Sequence, residues 1–314
     1  MPPAELTHAQ DPIGSPTRTV SIVVPAFNQE RGIRRTIESA GALTGATLDI
    51  VVVDDGSTDA TPDVLCELAR IHGNLRIISQ PNQGPSAARN AGIDAARGGH
   101  IIFLDAGDEL LPVDLSPLLT AADMHAFSVT EVQLDGSASS HREVPYSGSG
   151  PHYLRRCLRD GTFLAVAWKY VYSAEFLRSR RLRFAHGLIH EDMLFPVEAL
   201  LAADRVDGSD VLAYRYIRTP HSITTTYSRE HIAHRLSSLD TIISRLQPLQ
   251  HRFPDVGIDQ YRVRLLRYAN LLAARSGVAF AHPAVLRRRL HIGWLRASRA
   301  LRLVERRHVA RPHA

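Results

Sequence analysis

Short apolar runs alternate with helical patterns through the first hundred residues. Four runs of β-branched and other apolar residues predict buried strands, at residues 19–24, 48–53, 75–78 and 101–104. Apolar spacing and helix-start residues predict helices between them, over about residues 30–42, 62–72 and 85–97. This β-α-β-α-β-α-β order with short connections predicts an α/β fold with a parallel, helix-covered sheet.

The pattern changes after residue 125. Alternating runs at 126–134 and 142–146 flank Asp135-Gly136 and predict a hairpin. Beyond it we predict helices at 151–160 and 193–203, a strand at 210–218, and only helices from about residue 229. The predicted organisation is a disordered leader, an α/β catalytic domain in two halves and a basic helical region, at 1–17, 18–225 (18–110 and 111–225) and 226–314.

Composition narrows the class of protein. The 314 residues contain no apolar run long enough to span a bilayer, and the first residues lack the pattern of a secretory signal. Two distant cysteines, Cys66 and Cys157, favour a reducing cytoplasmic compartment. The sixteen histidines show no zinc-binding spacing.

Charge is distributed unevenly along the chain. Residues 228–314 hold 17 arginines and five acidic residues, a net charge of +12, so the preceding residues carry −7 of the overall +5. Residues 285–307 have the pattern of a basic amphipathic helix, which suits either packing on the catalytic domain or peripheral contact with the inner face of a membrane. Packing is the favoured interpretation.

Acidic residues follow the predicted strands at recurrent points. Asp54-Asp55 ends the second strand, Asp105 and Asp108 follow the fourth, and Glu191-Asp192 comes later. The carboxyl ends of parallel strands lie at the edge where an open α/β sheet binds ligands. Carboxylates there suit a divalent cation and a phosphate-bearing substrate, which predicts an enzyme.

Five motifs in this order resemble the family 2 glycosyltransferases, which have the GT-A fold. They are V-S-I-V-V-P-A-F-N (20–28), V-V-V-D-D-G-S-T-D (51–59), N-Q-G-P-S-A-A-R-N-A-G (82–92), F-L-D-A-G-D (103–108) and H-E-D-M-L-F (190–195). The resemblance covers about residues 18–225. It implies a Rossmann-like, mostly parallel sheet flanked by helices, with the C-terminal helices as an extension.

The resemblance also implies roles for individual residues. Phe27 would stack near the base of a nucleoside diphosphate sugar, Asp55 would hydrogen-bond that base, and Arg89 would organise the phosphates. Asp192 would act as the general base beside Glu191. The other donor-binding residues implied are Pro25, Asn28, Gly56, Asp105 and Arg218, the last on a loop with Tyr216, His221 and Ser222 that would close over the diphosphate.

One position departs from the family pattern. The acidic loop of the family commonly reads D-x-D-D, and Gly107 stands in place of the inner aspartate. Asp105 and Asp108 are therefore the predicted ligands of a divalent metal, Mn²⁺ or Mg²⁺. Acceptor contacts are predicted at Trp168, Lys169 and His190, with a core position as the alternative for Trp168.

The implied reaction is an inverting transfer of a sugar, from a UDP-sugar by preference, to a hydroxyl of a glycan, lipid-linked or small-molecule acceptor. Synthesis of a cell-surface polysaccharide, glycolipid or secondary-metabolite glycoside would use such a reaction. Gly107 leaves open a non-catalytic nucleotide-sugar-binding relative. The basic tail leaves open a nucleic-acid-binding protein, although no known module is present, the acidic body opposes it, and no nucleic acid is expected as a partner.

Overall fold

The computed structural model of the protein describes residues 18–219 and 228–280. The strands in these ranges are β1 Thr19–Ala26, β2 Thr47–Asp54, β3 Leu75–Ser79, β4 His100–Phe103, β5 Glu109–Leu110, β6 Met124–Val132, β7 Ala138–His141, β8 Tyr146–Gly148, β9 Tyr170–Ser173 and β10 Val206–Ile217. The α-helices are α1 Ile33–Gly41, α2 Thr61–Ile71, α3 Pro85–Ala95, α4 Gly150–Asp160, α5 Ala174–Ser179, α6 Phe195–Ala202, α7 Arg229–Arg252 and α8 Ile258–Ser276. The predicted leader and the 285–307 helix lie outside the described residues.

One mixed sheet joins these ten strands, eight of them in the order β3-β2-β1-β4-β9-β6-β10-β5, while β7 pairs with β6 and β8 pairs with β10. The first four strands along this path run parallel, as the sequence predicts. Beyond β4, only β6 and β10 pair in parallel, while β9 joins β4 and β6 in antiparallel fashion. The parallel prediction therefore holds for the N-terminal half, and the sheet as a whole is mixed.

Small residues let α3 lie close to the sheet. Gly92 faces Val23 of β1, and a Cβ atom at Gly92 would lie only 2.1 Å from Val23 Cγ1. Ala88 packs against the buried valines Val51 and Val53 of β2. The small side chains of the A-A-R-N-A-G motif thus bring α3, and with it Arg89, close to the strand ends.

The region after β4 differs in detail from the prediction. The hairpin forms between β6 and β7, at 138–141 rather than 142–146, and β8 pairs with β10 instead. The short strand β9, which pairs with β4, was not predicted. The late strand begins four residues earlier than predicted, at Val206.

The helices α7 and α8 pack together, and their buried side chains join the same hydrophobic core as the sheet. Tyr261 of α8 contacts Phe163 edge-on, with ring centroids 5.5 Å apart. No helix among residues 18–219 and 228–280 has the length and apolar character to cross a membrane. The C-terminal helices described here therefore form part of the folded body.

Candidate functional site

The ends of β1, β2 and β4 lie side by side. Ala26 pairs with Asp54, and Val23 pairs with Phe103. The N–H of Asp55 donates to the Ala26 carbonyl at 2.8 Å, which continues this alignment past the strand ends. The sheet thus presents the residues after these three strands at one edge, where open α/β sheets bind ligands.

Phe27 and Asn28 occupy the turn after β1. Asn28 has a φ of 53°, a left-handed conformation that asparagine tolerates better than most residues. Its Oδ1 accepts the N–H of Thr58 at 2.8 Å, and its own N–H donates to Ser57 Oγ at 3.0 Å. The turn is thereby tied to the loop after β2, and Phe27 is left 43% exposed. Stacking of Phe27 on a base stays a prediction.

Asp55 holds the loop that leads into α3. Its carboxylate accepts Gln80 Nε2 at 2.6 Å and the N–H groups of Gln83 and Gly84 at 3.0 and 2.7 Å. Gly56 has a φ of +74°, and a Cβ atom there would lie 2.8 Å from the nitrogen of Asn82. Asp55 and Gly56 therefore build this loop, and contact between Asp55 and a base stays a prediction.

Arg89 connects the two acidic parts of the site. One terminal nitrogen donates to Asp105 Oδ1 at 2.7 Å, and the other donates to Glu191 Oε1. Burial alone would lower the pKa of Arg89, but the carboxylates of Asp105, Glu191 and Asp192 outweigh it and raise that pKa above its ordinary value. Arg89 is buried and already paired, so the structure places it as a bridge between carboxylates rather than as an open phosphate ligand.

Residues 105–108, which we call the Asp105 loop, have two carboxylates in contrasting environments. Asp105 keeps 32% of its side chain exposed. Asp108 is buried, and its oxygens accept Tyr214 Oη at 2.7 Å and the N–H of Ile217 at 2.8 Å. Burial and the neighbouring Asp105 raise the pKa of Asp108 well above its ordinary value. Asp108 anchors the loop to β10.

Gly107 gives the Asp105 loop its shape. Its φ of +105° lies in a region that residues with a side chain rarely adopt. Its N–H donates to Thr36 Oγ1 at 2.9 Å, and its carbonyl accepts a guanidinium nitrogen of Arg35 at 2.8 Å. Gly107 thus stands where the family commonly has an aspartate, and an aspartate at this φ would be strained.

Few side chains that the structure describes near the Asp105 loop could serve as ligands for a metal ion. Among the described residues, no group of three His, Cys, Asp or Glu side chains is placed to hold a metal ion. Asp105 is exposed enough to offer one carboxylate oxygen, whereas both oxygens of Asp108 already accept protein donors. Mg²⁺ commonly binds through one or two carboxylates and completes its shell with substrate phosphates and water. Asp105 fits that mode, whereas Asp108 is buried and engaged with β10, and its role as a metal ligand stays a prediction.

The predicted acceptor residues lie in the interior. Trp168 is buried and stacks on Tyr214, with ring centroids 4.3 Å apart, in line with its alternative core interpretation. Lys169 donates to Glu143 Oε2 at 2.6 Å inside the protein. His190 is also buried and accepts a hydrogen bond from Arg235. These three side chains are buried in the structure, and their contact with an acceptor stays a prediction.

The other predicted residues lie nearer the strand ends. Pro25 is the penultimate residue of β1 and pairs with Val53. Arg218 follows β10, and its Nε donates to Glu131 Oε1 at 2.6 Å. A role of Arg218 in closing over a diphosphate stays a prediction, and His221 and Ser222 of the same segment lie outside the described residues.

Glu191 and Asp192 belong to residues 187–193, which we call the acidic segment. Glu191 is buried against Arg89, whereas Asp192 is half-buried. Burial, together with the nearby Asp192 carboxylate, raises the pKa of Tyr261 on α8. The Asp192 carboxylate is therefore close enough to influence both Arg89 and Tyr261 of α8.

The residues of α7 and α8 that contact the acidic segment were not predicted from the sequence. Arg235 on α7 is fully buried, and it sits between Ile232 and Leu239 on the apolar face of that helix. A charged residue inside an apolar stripe is the signal that marks it, because such a charge requires partners. Tyr268 of α8, which accepts from Arg235, carried no such signal.

Comparison with known proteins shows that this chain is similar to a family model and to curated glycosyltransferases, of which three are described. A model of glycosyl transferase family 2 matches residues 21–173. The putative glycosyltransferase EpsH of Bacillus subtilis is 31% identical over 245 residues, 74% of this chain and 70% of EpsH. The succinoglycan biosynthesis protein ExoO of Rhizobium meliloti is 29% identical, covering 91% of this chain and 87% of ExoO. The uncharacterised glycosyltransferase YibD of Escherichia coli is 28% identical, and the chain spans only 61% of its length.

Solved structures show the same fold. The S. aureus TarS 1–349 complex with UDP-GlcNAc has a TM-score of 0.56 at 19% identity, covering 84% of this chain and 93% of that one. The mannosyltransferase PcManGT of Pyrobaculum calidifontis, in complex with GDP-Man and Mn²⁺, has a TM-score of 0.51 at 17% identity, covering 87% and 79%. These similarities confirm the predicted GT-A-type fold.

Proposed function

The chain belongs to the family 2 glycosyltransferases, and from this premise we propose that it transfers a sugar from a nucleoside diphosphate sugar to an acceptor hydroxyl with inversion. The observation that carries the proposal is the Arg89 bridge. Arg89 joins Asp105 at the end of β4 to Glu191, the neighbour of Asp192. A binding loop and a candidate base thus meet at one edge of the sheet.

The proposed donor site lies along the ends of β1, β2 and β4. Phe27 stacks on the base, while Asp55 and Gly56 shape the loop beside it. TarS and PcManGT have structures with UDP-GlcNAc and GDP-Man, respectively. A UDP-sugar is our preferred donor, because structures of TarS, which the chain resembles in fold, contain UDP or UDP-GlcNAc.

The proposed reaction is a single displacement at the anomeric carbon. The acceptor oxygen forms a bond to this carbon as the bond to the diphosphate oxygen breaks, and the electron pair leaves with the diphosphate. Asp192 takes the proton of the attacking hydroxyl and becomes protonated. Attack from the opposite face inverts the anomeric configuration. Arg89 keeps Glu191 in place, so the backbone that carries Asp192 is fixed relative to the donor.

Asp105 is the residue proposed to hold a divalent cation, Mn²⁺ or Mg²⁺, with the donor diphosphate supplying further oxygens. Such a cation, when bound, stabilises the negative charge on the departing diphosphate. Asp108 contributes by fixing the loop through Tyr214 and Ile217. The absence of an inner aspartate at Gly107 leaves Asp105 as the carboxylate on which this site depends.

The acceptor is proposed to be a glycan, a lipid-linked saccharide or a small molecule that carries a free hydroxyl. The similarity to ExoO, a succinoglycan biosynthesis protein, supports polysaccharide synthesis. Action in the cytoplasm, with peripheral membrane contact through residues 285–307, stays a prediction that concerns residues outside the described ranges.

A donor panel tests this proposal. Purified protein is incubated with UDP-, GDP-, dTDP- and CDP-sugars in Mn²⁺, Mg²⁺ or EDTA, and nucleoside diphosphate release is measured beside donor binding. We expect one donor class to bind and to release its nucleotide, with a rate that falls by about 10²–10⁴-fold in Asp192→Asn. Binding with no release under any condition or acceptor would support a non-catalytic relative, and no binding of any donor would contradict the proposal.

A further inference from the structure

Arg235 is an unusual residue for its position. It lies on α7 with no exposed surface and is the largest of the fully buried side chains. The neighbouring buried positions on α7 are mainly apolar, at Ile232, Leu236 and Leu239. A guanidinium removed from water is costly unless its donors are satisfied, so the contacts of Arg235 decide what it does.

Arg235 contacts side chains that belong to different parts of the chain, His190 and Tyr268 among them. Its Nε donates to His190 Nε2 at 3.2 Å, and one terminal nitrogen donates to the Tyr268 hydroxyl on α8. Arginine has donors but no acceptor, so His190 Nε2 must accept. The imidazole is therefore held as the tautomer with its proton on Nδ1, and its ring orientation is fixed.

His190 directly precedes Glu191 and Asp192, so its backbone conformation fixes where this acidic pair begins. Its φ of 69° is a left-handed conformation that histidine adopts uncommonly. The next two residues are Glu191, which Arg89 holds, and Asp192. A strained backbone persists only when surrounding contacts determine it. The ring contact with Arg235 is one such contact, immediately before the proposed base.

Three further hydrogen bonds fasten the acidic segment to the same two helices. Ile189 N–H donates to Ser238 Oγ at 3.0 Å, and His234 Nε2 lies 2.9 Å from the Gly187 carbonyl. The Tyr261 hydroxyl of α8 donates to the Met193 carbonyl at 2.9 Å. The helices α7 and α8 therefore contact the acidic segment along most of its length, while Arg89 of α3 holds Glu191.

We infer that Arg235 is a positioning residue that acts through His190 to hold Asp192 in its working position. The inference rests on the proposed function, because it takes the acidic segment as the site of proton transfer. It gives the C-terminal helical hairpin a part in catalysis without contact with substrate. A misplacement of about 1 Å at a reacting group can cost roughly 10²-fold in rate, so loss of this contact should be visible in turnover.

Three variants separate positioning from simple stabilisation. Arg235→Met removes the donors and keeps an apolar chain of similar length, while Arg235→Lys keeps the charge and one donor group. Arg245→Met is the matched control, because Arg245 lies on the same helix and its exposed guanidinium pairs with the partly buried Glu198. We expect Arg235→Met to lower kcat by about 10–100-fold with donor KM changed less than about 3-fold. Arg235→Lys should recover part of this loss, and Arg245→Met should match the wild type.

A double-mutant cycle tests the route through His190. His190→Asn removes the ring, while asparagine tolerates the left-handed backbone. If Arg235 acts through His190, the double variant should lose no more turnover than the more damaging single variant. If the double variant instead lowers kcat by the product of the two single effects, Arg235 does not act through His190. An unchanged kcat per folded molecule in Arg235→Met would also overturn the inference.

Hydrogen exchange keeps the inference testable whether or not transfer is found. Without any substrate, Arg235→Met should speed amide exchange in residues 187–193 and leave residues 105–108 at the wild-type rate. Faster exchange throughout the chain, or no change in residues 187–193, would overturn the inference. If the wild type transfers no sugar from any donor, the proposed function fails, and the exchange pattern alone decides whether Arg235 holds the acidic segment.

Discussion

The two carboxylate-bearing parts of the site are supported in different ways. The Asp105 loop follows a strand directly, and its position is set by the sheet register and by Asp108 bonded to β10. The acidic segment follows an irregular stretch, and its supports come from Arg89 on α3 and Arg235 on α7. The first part is thus built mainly on the sheet edge, and the second depends on buried arginines that two helices supply.

This difference has a consequence for substitutions. Substitutions at the sheet edge should change donor affinity or the conformation of a single loop. Changes at the supports of the acidic segment should alter stability and turnover together, because buried charges lose their partners.

The largest expected effect is that of Arg89→Met. The substitution leaves the buried Glu191 without its cationic partner, and breaking such a pair costs about 3–5 kcal/mol of unfolding free energy. Urea denaturation measures this loss. Arg183→Met is the control, because Arg183 pairs with Asp94 at the surface, where an ion pair contributes about 0–1 kcal/mol. Equal losses in the two variants would contradict the bridging role.

Gly56→Ala should have the next largest effect. The new Cβ atom would meet the Asn82 nitrogen at 2.8 Å, and a φ of +74° disfavours alanine. We expect a loss of about 1–3 kcal/mol in unfolding free energy. Gly73→Ala is the matched control, because a Cβ atom there meets nothing within 4 Å. A tolerated alanine at position 56 would show that the loop adjusts its backbone.

Phe27→Ala should weaken donor binding without lowering the stability of the fold. Loss of a base-stacking ring costs about 1–3 kcal/mol of binding, and Phe27 is too exposed to support much of the core. Isothermal titration with the donor found in the panel measures the change in Kd. Leu134→Ala removes another exposed apolar side chain and should leave Kd unchanged. An unchanged Kd in Phe27→Ala would remove this residue from the base site.

The smallest expected effect is a change in the pH dependence of stability at Asp108. A raised pKa in the folded state means that the stability contribution of Asp108 is present below its unfolded pKa and is lost as pH rises through the folded value. In Asp108→Asn, the Ile217 N–H and the Tyr214 hydroxyl keep partners without this titration. The unfolding free energy of wild type should therefore fall relative to Asp108→Asn as pH rises. The surface variant Asp160→Asn should show no such divergence above pH 5, and a parallel pH profile for Asp108→Asn would contradict the assignment.

Much of the N-terminal half could be predicted from the sequence, because its signals are local. Runs such as Ile50–Val53 identify buried strands by themselves, and their carboxyl ends place Asp55 and Asp105 at one edge. The strand β9 escaped prediction because its sequence, Y-V-Y-S, lacks the continuous β-branched or aliphatic run that marks β1, β2 and β4. Local patterns thus predicted the elements that have such a run or a clear helical spacing.

The supports of the site could not be predicted in the same way. Lys169 was assigned to the acceptor, but it meets Glu143, a partner 26 residues away that no local pattern pairs with it. Asp108 was assigned to a metal, but its burial depends on Tyr214 in a strand more than a hundred residues later. The residue types were informative, and their partners came from the tertiary fold.

The central claim is that the Asp105 loop holds the donor while the acidic segment performs proton transfer. Its most direct test is a comparison of Asp105→Asn and Asp192→Asn by donor Kd and by kcat. We predict that Asp105→Asn weakens donor binding by about tenfold or more, while Asp192→Asn keeps Kd within about threefold and lowers kcat by at least roughly 100-fold. Equal loss of donor binding in both variants, or normal turnover in Asp192→Asn, would contradict this division of roles.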